Sequence, residues 1–128
     1  MIKFKFNADY GLVYVRVKIN CADREVILNL ALDTGASGTI ISAKKLREVG
    51  YNLENPEDEI YITTGSGLIF VPKITIEKLT ALGKEKTNFL VISHDFPPTA
   101  SVDGVLGLDF LRENVLTINF KEGFIEII

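Results

Sequence analysis

The sequence predicts an all-β fold built from closed or folded-over sheets. Apolar and polar residues alternate with a period of two through the first third of the chain, and short β-rich runs separated by turn residues continue to the end. We find no repeat of fixed period and no low-complexity segment. At 128 residues the chain has room for one continuous core, so we expect a single domain over residues 1–128.

Three strands are predicted in the first quarter of the sequence. Residues 2–6 and 13–19 alternate apolar with charged or polar side chains, and in residues 26–32 every even position is apolar. Turn-forming residues occupy 7–11 and 20–23. The pattern therefore predicts two successive hairpins.

One helix of moderate length follows these strands. Ser42 is a good N-cap, residues 43–49 have helical spacing, and Gly50 is typical of a helix end. The polar residues 52–58 contain a proline and indicate a loop.

A long glycine-tipped hairpin is predicted in the middle of the chain. Residues 59–64 and 68–76 are β-rich, and Gly65-Ser66-Gly67 separates them. Such a hairpin is a candidate lid. The remaining predictions are strands over 80–82, 87–92, 115–120 and 124–128, a solvated loop over 84–86, and a short helix over 109–113.

Composition argues against several classes of partner and cofactor. The 14 Lys and Arg residues against 17 Asp and Glu give a net charge of −3, and no basic run exceeds the Lys44-Lys45 pair, so nucleic acid is not expected. Cys21 and His94 alone do not supply a zinc ligand set, and we expect no metal or cofactor. No apolar run is long enough for a membrane span, and the alternating residues 2–6 do not form a signal peptide, so we expect no membrane association and a cytoplasmic location.

The strongest chemical motif is an acid presented on a tight loop. Asp33 ends an apolar strand and is followed by Thr34-Gly35-Ala36-Ser37. Glycine allows the backbone of a ligand or a second chain to approach closely, and Thr34 can tie the loop down by hydrogen bonds. An ordinary Asx-type turn would explain these five residues taken alone.

Two further elements change that interpretation. The glycine-tipped segment 64–67 and the segment Val105-Leu106-Gly107-Leu108-Asp109-Phe110-Leu111 follow the Asp33 loop in this order. In this arrangement the chain resembles the retroviral-type, or retropepsin-like, aspartic proteases over about residues 13–120. The ending Gly-Leu-Asp-Phe-Leu is closer to cellular and prokaryotic members, such as the Ddi-type protease domain, than to the viral enzymes.

The resemblance implies a retropepsin-like fold with a flap hairpin, and it implies site residues. Asp33, Thr34 and Gly35 would be catalytic, and Thr34 would form hydrogen bonds between the Asp33 loops of two chains. Gly107 would let its loop pass beneath the Asp33 loop. From the local sequence alone, Asp103 belongs most simply to an Asp-Gly turn and Asp109 most simply caps the short helix. The residues that would contact substrate are Ala36, Ser37, Gly65, Ser66, Gly67, Leu68, Val105 and Leu106.

The chemistry explains why a second copy of the chain is expected. Hydrolysis by carboxylates needs one base and one acid, and two adjacent carboxyls share a proton, but one chain supplies only one such loop. The resemblance therefore implies a homodimeric endopeptidase acting on peptides or proteins at mildly acidic pH. Residues 2–6 precede and residues 123–128 follow the part of the chain that resembles the family. The resemblance therefore does not define how these terminal strands are arranged at the dimer interface. Alternatives are a catalytically silent dimeric peptide-binding module on the same fold and a monomer with an unpaired site.

Overall fold

The computed structural model describes residues 2–54, 56 and 58–128, and most of them lie in strands. The elements in chain order are β1 (Lys3–Lys5), β2 (Tyr14–Cys21), β3 (Arg24–Leu32), β4 (Ile40–Ile41), α1 (Ala43–Val49), β5 (Asp58–Thr64), β6 (Gly67–Ala81), β7 (Lys84–Ser93), β8 (Gly104–Leu106), α2 (Leu108–Leu111), β9 (Leu116–Asn119) and β10 (Phe124–Ile127).

Six of the strands close into a barrel. The order is β2-β3-β8-β4-β7-β6, and an additional pairing between β2 and β6 completes the ring. Alternation along each strand directs one set of side chains inward. Val17, Ile19 and Leu30, for example, are fully buried in the core. The all-β prediction is confirmed.

Only the second of the two predicted N-terminal hairpins forms. β2 pairs with β3 through a tight turn, but β1 pairs with β10 at the other end of the sequence. The three strands β1-β10-β9 form a separate small sheet, which we call the terminal sheet. The turn residues 7–11 permit a reversal, but Phe4 packs beside Ile125 at the edge of the core instead. Burial of the Phe4 side chain beside Ile125 therefore decides the partner of β1.

Strands β6 and β7 are longer than their sequences predict. The separate strand predicted at 80–82 is wrong because β6 runs without interruption to Ala81. The loop predicted at 84–86 is also wrong, since these residues belong to β7 and pair with β6 from Lys84 onward. Residues 84–86 are all charged, so their composition alone does not indicate a strand. The short strands β4 and β8 were not predicted.

Helix α1 has the predicted bounds. The Ser42 hydroxyl accepts from the Lys45 amide, and Gly50 ends the helix at a φ of 121°. Ser42 also donates to the Asp95 carboxylate at 2.8 Å, which ties the helix to the end of β7. In the predicted loop 52–58, Asp58 begins β5, while Asn55 and Glu57 lie outside the described residues.

Asp95 makes stability depend on pH. Partial burial raises the pKa of Asp95, but hydrogen bonds from the Ser42 hydroxyl and the Lys44 amide, with the charge of Arg47, outweigh it and leave the pKa below its ordinary value of 3.8. A carboxyl whose pKa is lowered by folding stabilises the fold above its ordinary pKa and loses that contribution as pH falls through the lowered value.

We therefore expect the Asp95→Asn variant to have a lower melting temperature than wild type at pH 6, with the difference shrinking as pH falls below about 3.8. Melting followed by circular dichroism from pH 6 to 2.5 measures this difference. Asp9→Asn is the matched control, because Asp9 is exposed and its carboxylate makes no hydrogen bond with the part of the chain that the structure describes. A constant difference for Asp95→Asn over this range would contradict the prediction.

The second helix is short and begins one residue earlier than predicted. α2 starts at Leu108 with Gly107 as its N-cap residue, so Asp109 lies inside the first turn and is not the cap. Neither helix in the described ranges has the length and apolar character that crossing a membrane requires.

Candidate active site

Strand pairing places Asp33 beside the segment 105–111, which contains Gly107. β3 runs parallel to β8, with Leu32 opposite Leu106, and the Asp33 amide donates to the Leu106 carbonyl at 3.0 Å. β8 also pairs with β4, so the Asp33 loop leaves the barrel between two strands that fix its start and its end. The loop is thus held by backbone hydrogen bonds on both sides.

Within the loop, the backbone orients the carboxylate of Asp33. The Gly35 amide donates to Asp33 Oδ1 at 2.8 Å, and the Ala36 amide donates to the Asp33 carbonyl at 3.2 Å. A β-carbon at Gly35 would lie 3.1 Å from Asp33 Oδ1, so a side chain there would crowd this carboxylate. Asp33 is half-buried, whereas Thr34 and Gly35 are exposed. The loop therefore presents an oriented carboxylate at the protein surface.

Gly107 lies in tight contact with the Asp33 loop. The Leu108 amide donates to the Ala36 carbonyl at 2.8 Å. A β-carbon at Gly107 would lie 2.7 Å from the Gly38 carbonyl oxygen and 2.8 Å from that of Ala36. The predicted close passage of the two loops is therefore present, and only glycine fits there.

Asp109 and Thr39 fasten the two loops together. Asp109 Oδ2 accepts from the Thr39 amide at 3.0 Å, and Oδ1 accepts from the Thr39 hydroxyl at 2.7 Å. The same hydroxyl oxygen accepts from the Gly107 amide at 3.1 Å, and Thr39 is fully buried. Sequence reasoning assigned Asp109 to a helix cap and missed Thr39. The available signal was a hydroxyl residue closing the Asp33 loop and an acid two residues after Gly107.

We expect Thr39→Val to lower the free energy of unfolding by about 2 kcal/mol. Valine keeps the shape of threonine, but the Gly107 amide and Asp109 Oδ1 then lose their shared partner in a buried position. Urea unfolding measures the change. Thr117→Val on the exposed side of β9 is the control and should change stability by less than about 0.5 kcal/mol. Equal effects of the two variants would show that the buried hydroxyl has no special role.

Asp103 makes contacts beyond those of the predicted turn. It lies near the predicted turn, but its carboxylate additionally accepts from the Asn29 amide at 2.9 Å, and its carbonyl accepts from the Ser42 amide at 2.7 Å. Asp103 thus links β3 to the start of α1 and supports the strand that ends at Asp33.

The glycine-tipped hairpin is formed by β5 and β6. Within the described part of the chain, β5 pairs with β6 alone, so this part of the hairpin extends from the barrel. Gly65, Ser66 and Gly67 are exposed at its tip, and Gly67 has a φ of 113° that favours glycine. Leu68 is 68% exposed. The tip predicted from the sequence is therefore accessible.

The structure separates the two apolar residues predicted to contact substrate from β8. Val105 is half-buried and borders the surface, but Leu106 has no exposed area and packs in the barrel core. The prediction that the Leu106 side chain contacts substrate is wrong for this chain, because alternation along β8 turns this side chain inward. Leu106 contributes to the site through its backbone carbonyl.

A cavity of about 380 Å³ lies between the Asp33 loop and the base of the hairpin. Ser37 and Gly38 line it on one side, and Ile60 and Lys73 of the hairpin line it on the other. The walls of this cleft are partly apolar and partly charged. A larger cavity of about 490 Å³ lies elsewhere, and none of its lining residues belongs to the Asp33 loop.

Comparisons with known proteins agree on the family and the fold. The family model described as gag-polyprotein putative aspartyl protease matches residues 15–113, which include the Asp33 loop, the hairpin and the Gly107 segment. A crystal structure of a retropepsin-like aspartic protease from Rickettsia conorii is similar, with a TM-score of 0.67 and 22% identity, over 98% of this chain and 87% of that chain. No curated protein matches the chain. The retropepsin-like fold is therefore confirmed, and the chain belongs to the gag-polyprotein putative aspartyl protease family.

Proposed function

We propose that the protein is an aspartic endopeptidase that hydrolyses peptide bonds as a homodimer. The observation that carries the proposal is the Asp33 loop, in which a backbone amide orients a surface carboxylate next to the buried Thr39–Asp109 connection. The family match supports a peptidase. Asp33, Thr34 and Gly35 are proposed as the catalytic residues of this loop.

The dimer is proposed because the chemistry needs two carboxyl groups. Each chain contributes one Asp33, and a two-fold axis beside the loop would bring two of them together. Thr34 is exposed, and its hydroxyl makes no hydrogen bond with the described part of the chain, so it is available to a second loop. A pair of adjacent carboxyls holds one proton and titrates as a unit.

In the proposed reaction, one Asp33 carboxylate takes a proton from water while the oxygen of that water attacks the peptide carbonyl carbon. The protonated Asp33 of the other chain donates to the carbonyl oxygen. The tetrahedral intermediate then collapses: the first Asp33 gives the proton that it took from water to the nitrogen, and the carbon–nitrogen bond breaks. One hydroxyl of the intermediate returns its proton to the other Asp33, which restores the starting pair. No covalent bond forms between enzyme and substrate.

The hairpin is proposed to act as a flap that covers an extended substrate. A peptide between the hairpin and the Asp33 loop would add as a strand, with Ala36 and Ser37 below it and residues 65–68 above it. Leu68 and Val105 are apolar and accessible in part, so apolar side chains next to the cleaved bond are favoured. A closer similarity to the Ddi-type protease domain than to the viral enzymes, and a cytoplasmic location, stay predictions.

The test uses the full chain and a diverse peptide mixture from pH 4 to 7, with new termini identified by mass spectrometry. Sedimentation of the same sample establishes whether the chain dimerises. We expect cleavage between apolar residues. A dimeric sample without cleavage would overturn the peptidase assignment and favour a silent peptide-binding module, and a monomeric sample that cleaves would overturn the shared site.

A further inference from the structure

A groove separates the terminal sheet from the outer face of the barrel. It has a volume of about 490 Å³, and its walls come from β1 and β10 on one side and from β2, β3 and the end of β6 on the other. This volume lies in the range of small-molecule sites. The groove shares no lining residue with the cavity next to the Asp33 loop.

The floor of the groove is apolar. Leu82 and Ile125 are 5% and 1% exposed, and Phe4 and Ile27 flank them. A neighbouring cavity of about 460 Å³ shares Phe4, Leu82 and Gly83 with the groove and continues past Ile127. The two cavities together form an elongated apolar track along the terminal sheet.

The rim of the groove is basic. Alternation along β2 turns Val15 and Val17 into the core and therefore turns Arg16 and Lys18 outward into the groove. Lys3 and Lys5 flank Phe4 on β1, and Lys3 Nζ lies 4.3 Å from the centroid of the Phe124 ring, on the face of the terminal sheet opposite Ile125. Arg16 and Lys18 are therefore the two cations that face the groove, and the described residues that line it include no Asp or Glu, in a chain with a net charge of −3.

The cations on the barrel side are only weakly neutralised. Lys18 contacts Glu25 at 3.8 Å, with Lys18 half-buried and Glu25 exposed, and an ion pair this accessible to solvent contributes little. Arg16 is exposed and forms no ion pair with the residues that the structure describes. An anionic group placed beside Arg16 and Lys18 would therefore meet charge that the protein does not satisfy itself.

We propose that this groove binds an amphiphilic anion with an unbranched apolar chain, of the fatty-acid class. The carboxylate would lie against Arg16 and Lys18, and the chain would lie over Leu82 and Ile125. The floor between these cations and the terminal sheet is made by Phe4, Leu82 and Ile125, whose side chains offer no hydrogen-bonding group. A polypeptide lying over this floor would leave backbone amides and carbonyls without partners, whereas an acyl chain needs only apolar surface.

Titration calorimetry with dodecanoate, kept below its micelle concentration, tests the proposal. Dodecyltrimethylammonium and dodecyl maltoside serve as the cationic and neutral comparisons with the same chain length. Amide NMR shifts locate the bound molecule and should change in residues 14–18 and 81–83. We expect saturable binding of dodecanoate and at least tenfold weaker binding of both comparisons, since a charged hydrogen bond contributes about a factor of ten or more.

Variants make the test specific to the rim. Arg16→Glu and Lys18→Glu should each weaken dodecanoate binding at least about tenfold. Lys44→Glu and Lys121→Glu make the same charge change at exposed positions outside the groove and should leave binding unchanged. Equal binding of all three detergents, equal effects of all four variants, or no saturable binding would each overturn the proposal. Binding of an acidic apolar peptide without dodecanoate binding would also overturn it and would indicate a protein partner.

Discussion

The Asp33→Asn variant should lose peptide hydrolysis by at least about 10³-fold while keeping its fold and its dimeric state. Asparagine has nearly the same shape as aspartate, and its side-chain oxygen can still accept from the Gly35 amide, as Asp33 Oδ1 does at 2.8 Å. It cannot take a proton from water. The measurement is kcat/KM on a peptide found in the cleavage screen, with circular dichroism to establish folding. Asp23→Asn, in the exposed turn between β2 and β3, is the matched control and should retain full activity.

Mixed dimers separate a shared site from two independent ones. When wild type and Asp33→Asn are mixed in equal amounts at a fixed total concentration and allowed to exchange, about one quarter of the dimers carry two Asp33 residues. The mixture should then retain about one quarter of the wild-type activity, whereas independent monomers would retain about one half. Activity near one half would contradict the shared dyad even if Asp33 is essential.

Gly107→Ala should lower the free energy of unfolding by about 3 kcal/mol and reduce activity as well. The new methyl group would lie within 2.8 Å of the carbonyl oxygens of Ala36 and Gly38, which are backbone atoms and cannot rotate away. The Asp33 loop would have to move, and with it the hydrogen bonds from Leu108 and Gly107 to that loop.

Gly11→Ala is the control for this substitution. No atom lies within 4 Å of a β-carbon at Gly11, so the free energy of unfolding should change by less than about 0.5 kcal/mol. Urea unfolding of both variants measures the difference. If Gly107→Ala were as stable as Gly11→Ala, the close passage of the two loops would not hold the site together.

The candidate site was predicted unevenly. Asp33 and Gly107 could be found because an acid and glycines with fixed neighbours occur in a recognisable order along the chain. Thr39 and Asp109 were missed as partners because 70 residues separate them, and no local pattern indicates which buried hydroxyl meets which carboxylate. Leu106 was misassigned because an apolar residue in a short strand is equally compatible with a core position and a pocket wall.

The sequence by itself determined the local features of this protein. Alternation with a period of two defines β2 and β3, Ser42 and Gly50 bound α1, and Gly67 supports the turn of the β5–β6 hairpin, because each depends on neighbouring residues and backbone geometry. Only the tertiary structure decided which elements that are distant in the sequence pair. The closing of the barrel by β2 and β6, and the choice of β10 as the partner of β1, depend on burying apolar faces brought together from distant parts of the chain. The free energy gained by this burial arises only when the whole core assembles, so no single segment of the sequence reveals it.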